Sequence, residues 1–152
     1  MNYARAWIVL SLAGIVVGLA GCTKPLDPSL APVSGTVTIG SEPLAGAKVT
    51  FIPKDGTTGF GGVGTTDSSG RYKLAGSRDN EAGIPPGEYR VVISKRLNPD
   101  GSEPPPGEQP MMSAAKESLP DAYSSMSMTT LTATVPAGGA TLDFPLTERK
   151  KK

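Results

Sequence analysis

Histidine is absent from the 152 residues. That excludes catalytic triads built on imidazole and zinc sites ligated by it. Cysteine occurs once, at Cys22, so the chain cannot form a disulfide with itself or gather the several thiolates of a metal cluster. Aromatic residues are scarce at 5%. Those after Cys22 are Phe51, Phe60, Tyr72, Tyr89, Tyr123 and Phe144. An excess of one charge is missing too: 15 basic side chains stand against 14 acidic ones, which argues against nucleic acid as a partner. The mature part shows no long helical pattern, and the chain has one long apolar run.

That run opens the sequence, "MNYARAWIVLSLAGIVVGLAGC". Arg5 supplies a positive start, Trp7 to Ala20 is almost wholly apolar, and small residues precede Cys22. This is the three-part layout of a secretory signal, and it is shorter than the roughly 20 residues that span a bilayer. The ending "LAGC", Leu19 to Cys22, resembles the bacterial lipobox. The resemblance implies that the Cys22 thiol takes a diacylglyceryl group, that cleavage falls before it, and that the new amine is acylated. A thiol suits this step because it is a far better nucleophile than a hydroxyl. Two or three acyl chains, at about 0.8 kcal/mol per buried CH₂, anchor a protein stably. A single-pass anchor, or a secreted protein with an incidental cysteine, is the alternative. Thr23 in place of Asp resembles the enterobacterial sorting pattern for the outer membrane rather than the inner one.

Removing residues 1–21 leaves 131 of the 152, enough for one domain with tails. Arg5 leaves with the signal, so 14 basic residues then balance 14 acidic ones. Residues 22–32, the lipidated cysteine and "TKPLDPSLAP", form a Pro-punctuated tether. At the other end, residues 148–152 carry the basic "RKKK". A solvated tail explains them; a weak contact with anionic lipid headgroups or surface polymer is the alternative.

Between these ends, residues 33–147 alternate with period two. Val33, Val37 and Ile39 share one parity; so do Ala47, Val49 and Phe51; Tyr72 and Leu74; Tyr89, Val91 and Ile93; Leu131, Ala133 and Val135; and Leu142, Phe144 and Leu146. With a weak Gly-rich strand in "FGGVGTT", about seven strands result. They predict an all-β antiparallel sandwich with its core between two sheets. Asp67 and Gly70 in "TDSSGR" form a turn, and Pro145 marks an edge strand. The segment "LNPDGSEPPPGEQPMMSAAKES", residues 97–118, has neither period and is predicted to lie outside the core as a long Pro-rich loop. It is a candidate binding surface or plain disorder.

Three pieces resemble the carboxypeptidase regulatory-like domain, a transthyretin-like sandwich. They are "VSGTVTIGSEPLAGAKVTF", "TTDSSGRYKL" and "PPGEYRVVIS", which cover Val33 to about Lys95 in the family's order. The later "LPDAYSS", "LTATV" and "LDFPL" resemble the C-terminal half of short bacterial lipoproteins with this domain. The resemblance implies a fold and no activity, since the matching residues are turn formers and core tyrosines.

Other short patterns have a plain structural explanation beside a functional one. "GFGGVG", Gly59 to Gly64, fits a dinucleotide fingerprint only where a helix follows. "SAAK", Ser113 to Lys116, fits the Ser–Lys pair of acyl enzymes, with no K-T-G after it. Met111, Met112, Met126 and Met128 could offer thioethers to Cu(I), though gap-filling is the default for methionine. Tyr123 and Phe60 are the aromatics not needed inside, a thin basis for a sugar platform. The expectation is therefore a membrane-anchored lipoprotein, exported to the cell envelope and without catalytic, cofactor or metal residues. Its sandwich would be a binding or structural module, with membrane lipid at Cys22 and an envelope protein or glycan as partners. The alternative is a Ser–Lys acyl-transfer enzyme or a methionine-based copper carrier.

Overall fold

A computed structural model describes residues 29–105, 107–108 and 111–147. The signal, Cys22, the tether as far as residue 28 and the basic tail lie outside the described residues. The strands are β1 (Val33–Ile39), β2 (Glu42–Pro43), β3 (Lys48–Pro53), β4 (Gly62–Thr65), β5 (Arg71–Lys73), β6 (Ala75–Gly76), β7 (Gly87–Ser94), β8 (Arg96–Leu97), β9 (Lys116–Glu117), β10 (Thr132–Val135), β11 (Ala140–Thr141) and β12 (Phe144–Leu146). One short helix, α1 (Asp121–Ser124), interrupts them. No helix among the described residues is long and apolar enough to cross a membrane.

The chain is an all-β sandwich. One sheet runs β10-β7-β3-β4-β6 with every pair antiparallel. The other is built around β1: β5 and β2 pair antiparallel along one of its edges, and β11 and β12 pair along the other. These last two run parallel to β1, with Val33 opposite Ala140 and Val37 opposite Phe144. Joining β5 to β6 and β11 to β12, and setting aside the two-residue strands β2, β8 and β9, recovers the seven strands read from the period-two runs. Leu74 divides β5 from β6. Its N–H donates to Val33 O at 2.9 Å, and the stretch passes from the β1 sheet to β4 in the other sheet.

Burial follows the parity. Val49, Phe51, Tyr89, Val91 and Ile93 are buried, and the intervening Lys48 and Arg90 are exposed. The two sheets meet through rings: Phe51 lies 5.8 Å from Tyr89 in its own sheet and 6.2 Å from Phe144 across the sandwich, and Phe144 lies 6.3 Å from Tyr72. Offset and tilted rings at such distances suit their quadrupoles. Among the described residues Thr66 is the buried polar side chain, 5% exposed. Its hydroxyl donates to Leu44 O at 2.6 Å and accepts from Ala47 N–H at 2.8 Å, locking the corner between β2 and β3. Asp67 accepts from the N–H groups of Ser69 and Arg71 at 2.8 and 3.0 Å, and Gly70 takes φ +72°, the turn read from "TDSSGR". The Pro145 strand is an edge, since β12 pairs with β1 alone.

Two boundaries differ from the sequence reading. Ala31, assigned to the tether, is fully buried and exchanges hydrogen bonds with Ile84 at 2.8 and 3.0 Å. The long segment is also anchored at both ends. β8 and β9 pair, and Glu117 accepts from Ser94 Oγ at 2.6 Å and from the N–H groups of Lys95 and Leu119 at 3.0 Å each. Ala115 is buried within it. Carboxylate anchoring of this kind leaves no trace in hydrophobic periodicity.

The strand directions give the sandwich two ends. Ala31, Ile84, the β3–β4 connection and the turn before Ala140 gather at one, here the tether end. Gly40, Ala45, Lys95, Glu103, Ser118 and Thr147 gather at the other, the far end, where the described parts of the long segment lie.

Candidate functional site

The outward face of the β1 sheet carries an open groove of about 490 Å³. Ser34 and Thr36 reach it from β1, Arg71 and Lys73 from β5, Asp67 from the turn and Thr141 from β11. Alternation explains the cations: Tyr72 points into the core, so its neighbours on both sides point out. The register explains the hydroxyls, because Ser34 sits opposite Lys73 and Thr36 opposite Arg71.

A glycine shapes the floor. A Cβ at Gly35 would lie 1.9 Å from Leu142 O, so the β11–β12 connection can close over β1 only where no side chain intervenes. Tyr72 Oη donates to that same carbonyl at 2.7 Å, and Thr36 N–H donates to Asp143 Oδ1 at 2.7 Å. Burial, and then the Asp143 carboxylate, push the Tyr72 hydroxyl well above the ordinary tyrosine range. It stays protonated as a structural donor.

Both carboxylates near the groove are thus occupied by backbone N–H groups, Asp67 by two and Asp143 by one. The Arg71 guanidinium and the Lys73 ammonium make no ion pair or hydrogen bond among the described residues. Elsewhere Lys54 pairs with Glu88 at 3.1 Å and Lys95 with Glu103 at 3.5 Å. The groove can therefore accept an anion without breaking an existing bond.

No protein-family model, curated protein or solved structure matches the chain.

The residues singled out in the sequence scatter over the molecule. Cys22 lies outside the described residues, as does the "RKKK" tail. Ser113 Oγ donates to Glu108 Oε2 at 3.0 Å and accepts from Ala115 N–H at 3.1 Å, while Lys116 is exposed in β9. The four methionines are exposed on two separate segments, Met111 and Met112 at 97% and 84%, Met126 and Met128 at 62% and 59%. "GFGGVG" leads into β4 and not into a helix, so the geometry a dinucleotide needs is absent there. Among the described residues no three Asp or Glu side chains converge as a metal site would require. Tyr123 packs on the core edge with its hydroxyl 2.8 Å from Thr147 Oγ1. Phe60 stays 59% exposed, with the Arg78 guanidinium 3.8 Å from its ring centroid.

The groove itself was not singled out from sequence. "GRYKL" carries the signal, two cations flanking an inward tyrosine. What sequence alone could not supply is the neighbour: that β5 lies against Ser34 and Thr36 is a fact of pairing.

Proposed function

We propose that the chain is a lipid-anchored bacterial envelope protein, held at Cys22 with the outer membrane favoured. Its sandwich is of the carboxypeptidase regulatory-like type and works as a non-catalytic binding module. The ligand is an anionic glycan of the envelope, bearing carboxylates or phosphates. The observation that carries this reading is the pair of cations without partners among the described residues, Arg71 and Lys73, beside three hydroxyls on a sheet face. The signal ending in "LAGC" supports the address. A charged ligand suits this face better than a neutral sugar, because no exposed aromatic lines the groove for stacking.

Exposed ion pairs contribute about 0–1 kcal/mol each, so a single contact is weak. Many anchored copies facing one polymer raise the avidity. The test is co-sedimentation with purified cell-wall sacculi and retention on a polygalacturonate column. Arg71→Ala/Lys73→Ala should lose most retention while its melting temperature stays within about 2 °C of the parent, as for other surface changes. Retention should also fall as salt rises. Equal retention of parent and double variant would refute the groove.

A further inference from the structure

The tether end presents an exposed aromatic and a cation together. Phe60 is the aromatic classed as exposed among the described residues, at 59%. Its backbone is pinned: Ser77 Oγ donates to Phe60 O at 2.7 Å, and Ser77 N–H donates to Gly61 O at 3.1 Å. Gly59 and Gly61 on either side take φ +95° and +72°, conformations that side chains other than glycine rarely adopt. The turn they form holds the ring outward. Arg78 lies over it, 3.8 Å from the centroid, with no carboxylate partner among the described residues. Leu30 and Pro85 line the crevice beside the pair.

Leu30 is also where the tether arrives. Six residues lie between Cys22 and Ser29, so the seven steps of chain reach at most roughly 25 Å at ~3.5 Å per step. From there β1 runs away through Val33–Ile39, which sets the far end roughly 20 Å further out at ~3.3 Å per residue. Asp55 and Asp79 share the tether end with Arg78, and Lys54 is paired with Glu88. That end is thus mixed in charge and not basic. It suits a zwitterionic headgroup layer, whose phosphates meet the guanidinium and whose ammonium groups meet the carboxylates. An apolar ring that can enter the layer, beside a guanidinium that can stay at phosphate depth, is a composition that fits a membrane interface.

We infer that the tether end is a bilayer-contacting face, on which Phe60 seats in the headgroup layer of a phosphatidylethanolamine-rich membrane and Arg78 meets lipid phosphate. The inference rests on the proposed anchoring at Cys22. The contact fixes the orientation of the sandwich, pointing residues 97–118 and Thr147 away from the anchoring membrane.

Trp7 leaves with the signal, so Phe60→Trp makes a single-tryptophan mature protein. Two preparations are compared in phosphatidylethanolamine/phosphatidylglycerol vesicles with brominated acyl chains. One is the protein purified from its own membrane, with the mass at Cys22 checked. The other is the chain from Cys22 onward, which keeps the whole buried core from Ala31 to Leu146, coupled through its thiol to a maleimide lipid. Met111→Trp, at the far end, serves as the control, and melting curves check that each variant is folded. Phe60→Trp emission should shift to the blue and be quenched at least twofold by the bromolipid, with Met111→Trp unmoved. Adding Arg78→Ala should restore most of the emission. Equal bromolipid quenching of the two tryptophans, or none of Phe60→Trp, in the coupled preparation would overturn the contact, and quenching indifferent to Arg78→Ala would overturn the role of the guanidinium. An unlipidated Cys22 in the membrane preparation would sink the anchoring reading alone, because the coupled preparation still decides the contact.

Discussion

Gly35 faces a position where a methyl group would lie 1.9 Å from the Leu142 carbonyl oxygen. Gly35→Ala should therefore cost on the order of 1–3 kcal/mol, the usual range for overpacking, readable as a lower urea midpoint. Tyr72 closes the same contact from the other side. Burial and Asp143 raise its pKa, and burial raises that of Tyr89. The unfolded chain then releases these protons first, from about pH 10 upward. Stability should be complete below that pH and fall above it, because the unfolded state binds fewer protons there. Tyr72→Phe should flatten part of the alkaline decline and cost about 1 kcal/mol for its hydrogen bond; an unchanged alkaline slope in denaturant melts would contradict this assignment. The inward role of these tyrosines was legible from alternation. Their acceptors, Leu142 O and Pro85 O, were not, because a hydroxyl's partner depends on which loop folds over it.

For the strands, parity was legible and pairing was not. Tyr89 is fully buried and Lys48 is exposed, as their positions in "EYRVVISK" and "AKVTFIP" predict. Tyr89→Ala should cost about 3–5 kcal/mol and Lys48→Ala less than about 0.5 kcal/mol; reversed urea midpoints would refute the register. The parallel β1–β12 pairing depends on which distant segment reaches an edge, and period-two patterns carry no such information. The long segment divides in the same way. Its Pro-rich middle reads as loop, yet Glu117 ties its return to Ser94, Lys95 and Leu119. Replacing residues 99–112 with a short Gly/Ser linker should leave the melting temperature nearly unchanged, since halving a loop alters closure by only about 0.6 kcal/mol. Glu117→Ala should lower it, with a loss of stability of about 0.5–1.5 kcal/mol, since its exposed donors can turn to water. A large loss from the linker replacement would mean that the middle packs as part of the sandwich.

Across the whole molecule, Leu30 and the described parts of the longest excursion lie at opposite ends. A chain held at Cys22 then offers residues 97–118 and the root of the basic tail outward, with the Arg71–Lys73 groove along the side. That polarity follows from the direction of β1 and the parallel course of β12, which takes Thr147 to the end remote from Leu30. All of this depends on the anchor. The most direct measurement is the mass of the N-terminal peptide of the protein taken from its native membrane. The account predicts a chain beginning at Cys22, its sulfur carrying a diacylglyceryl group. A free Cys22 thiol, or a chain still beginning at Met1, would contradict it.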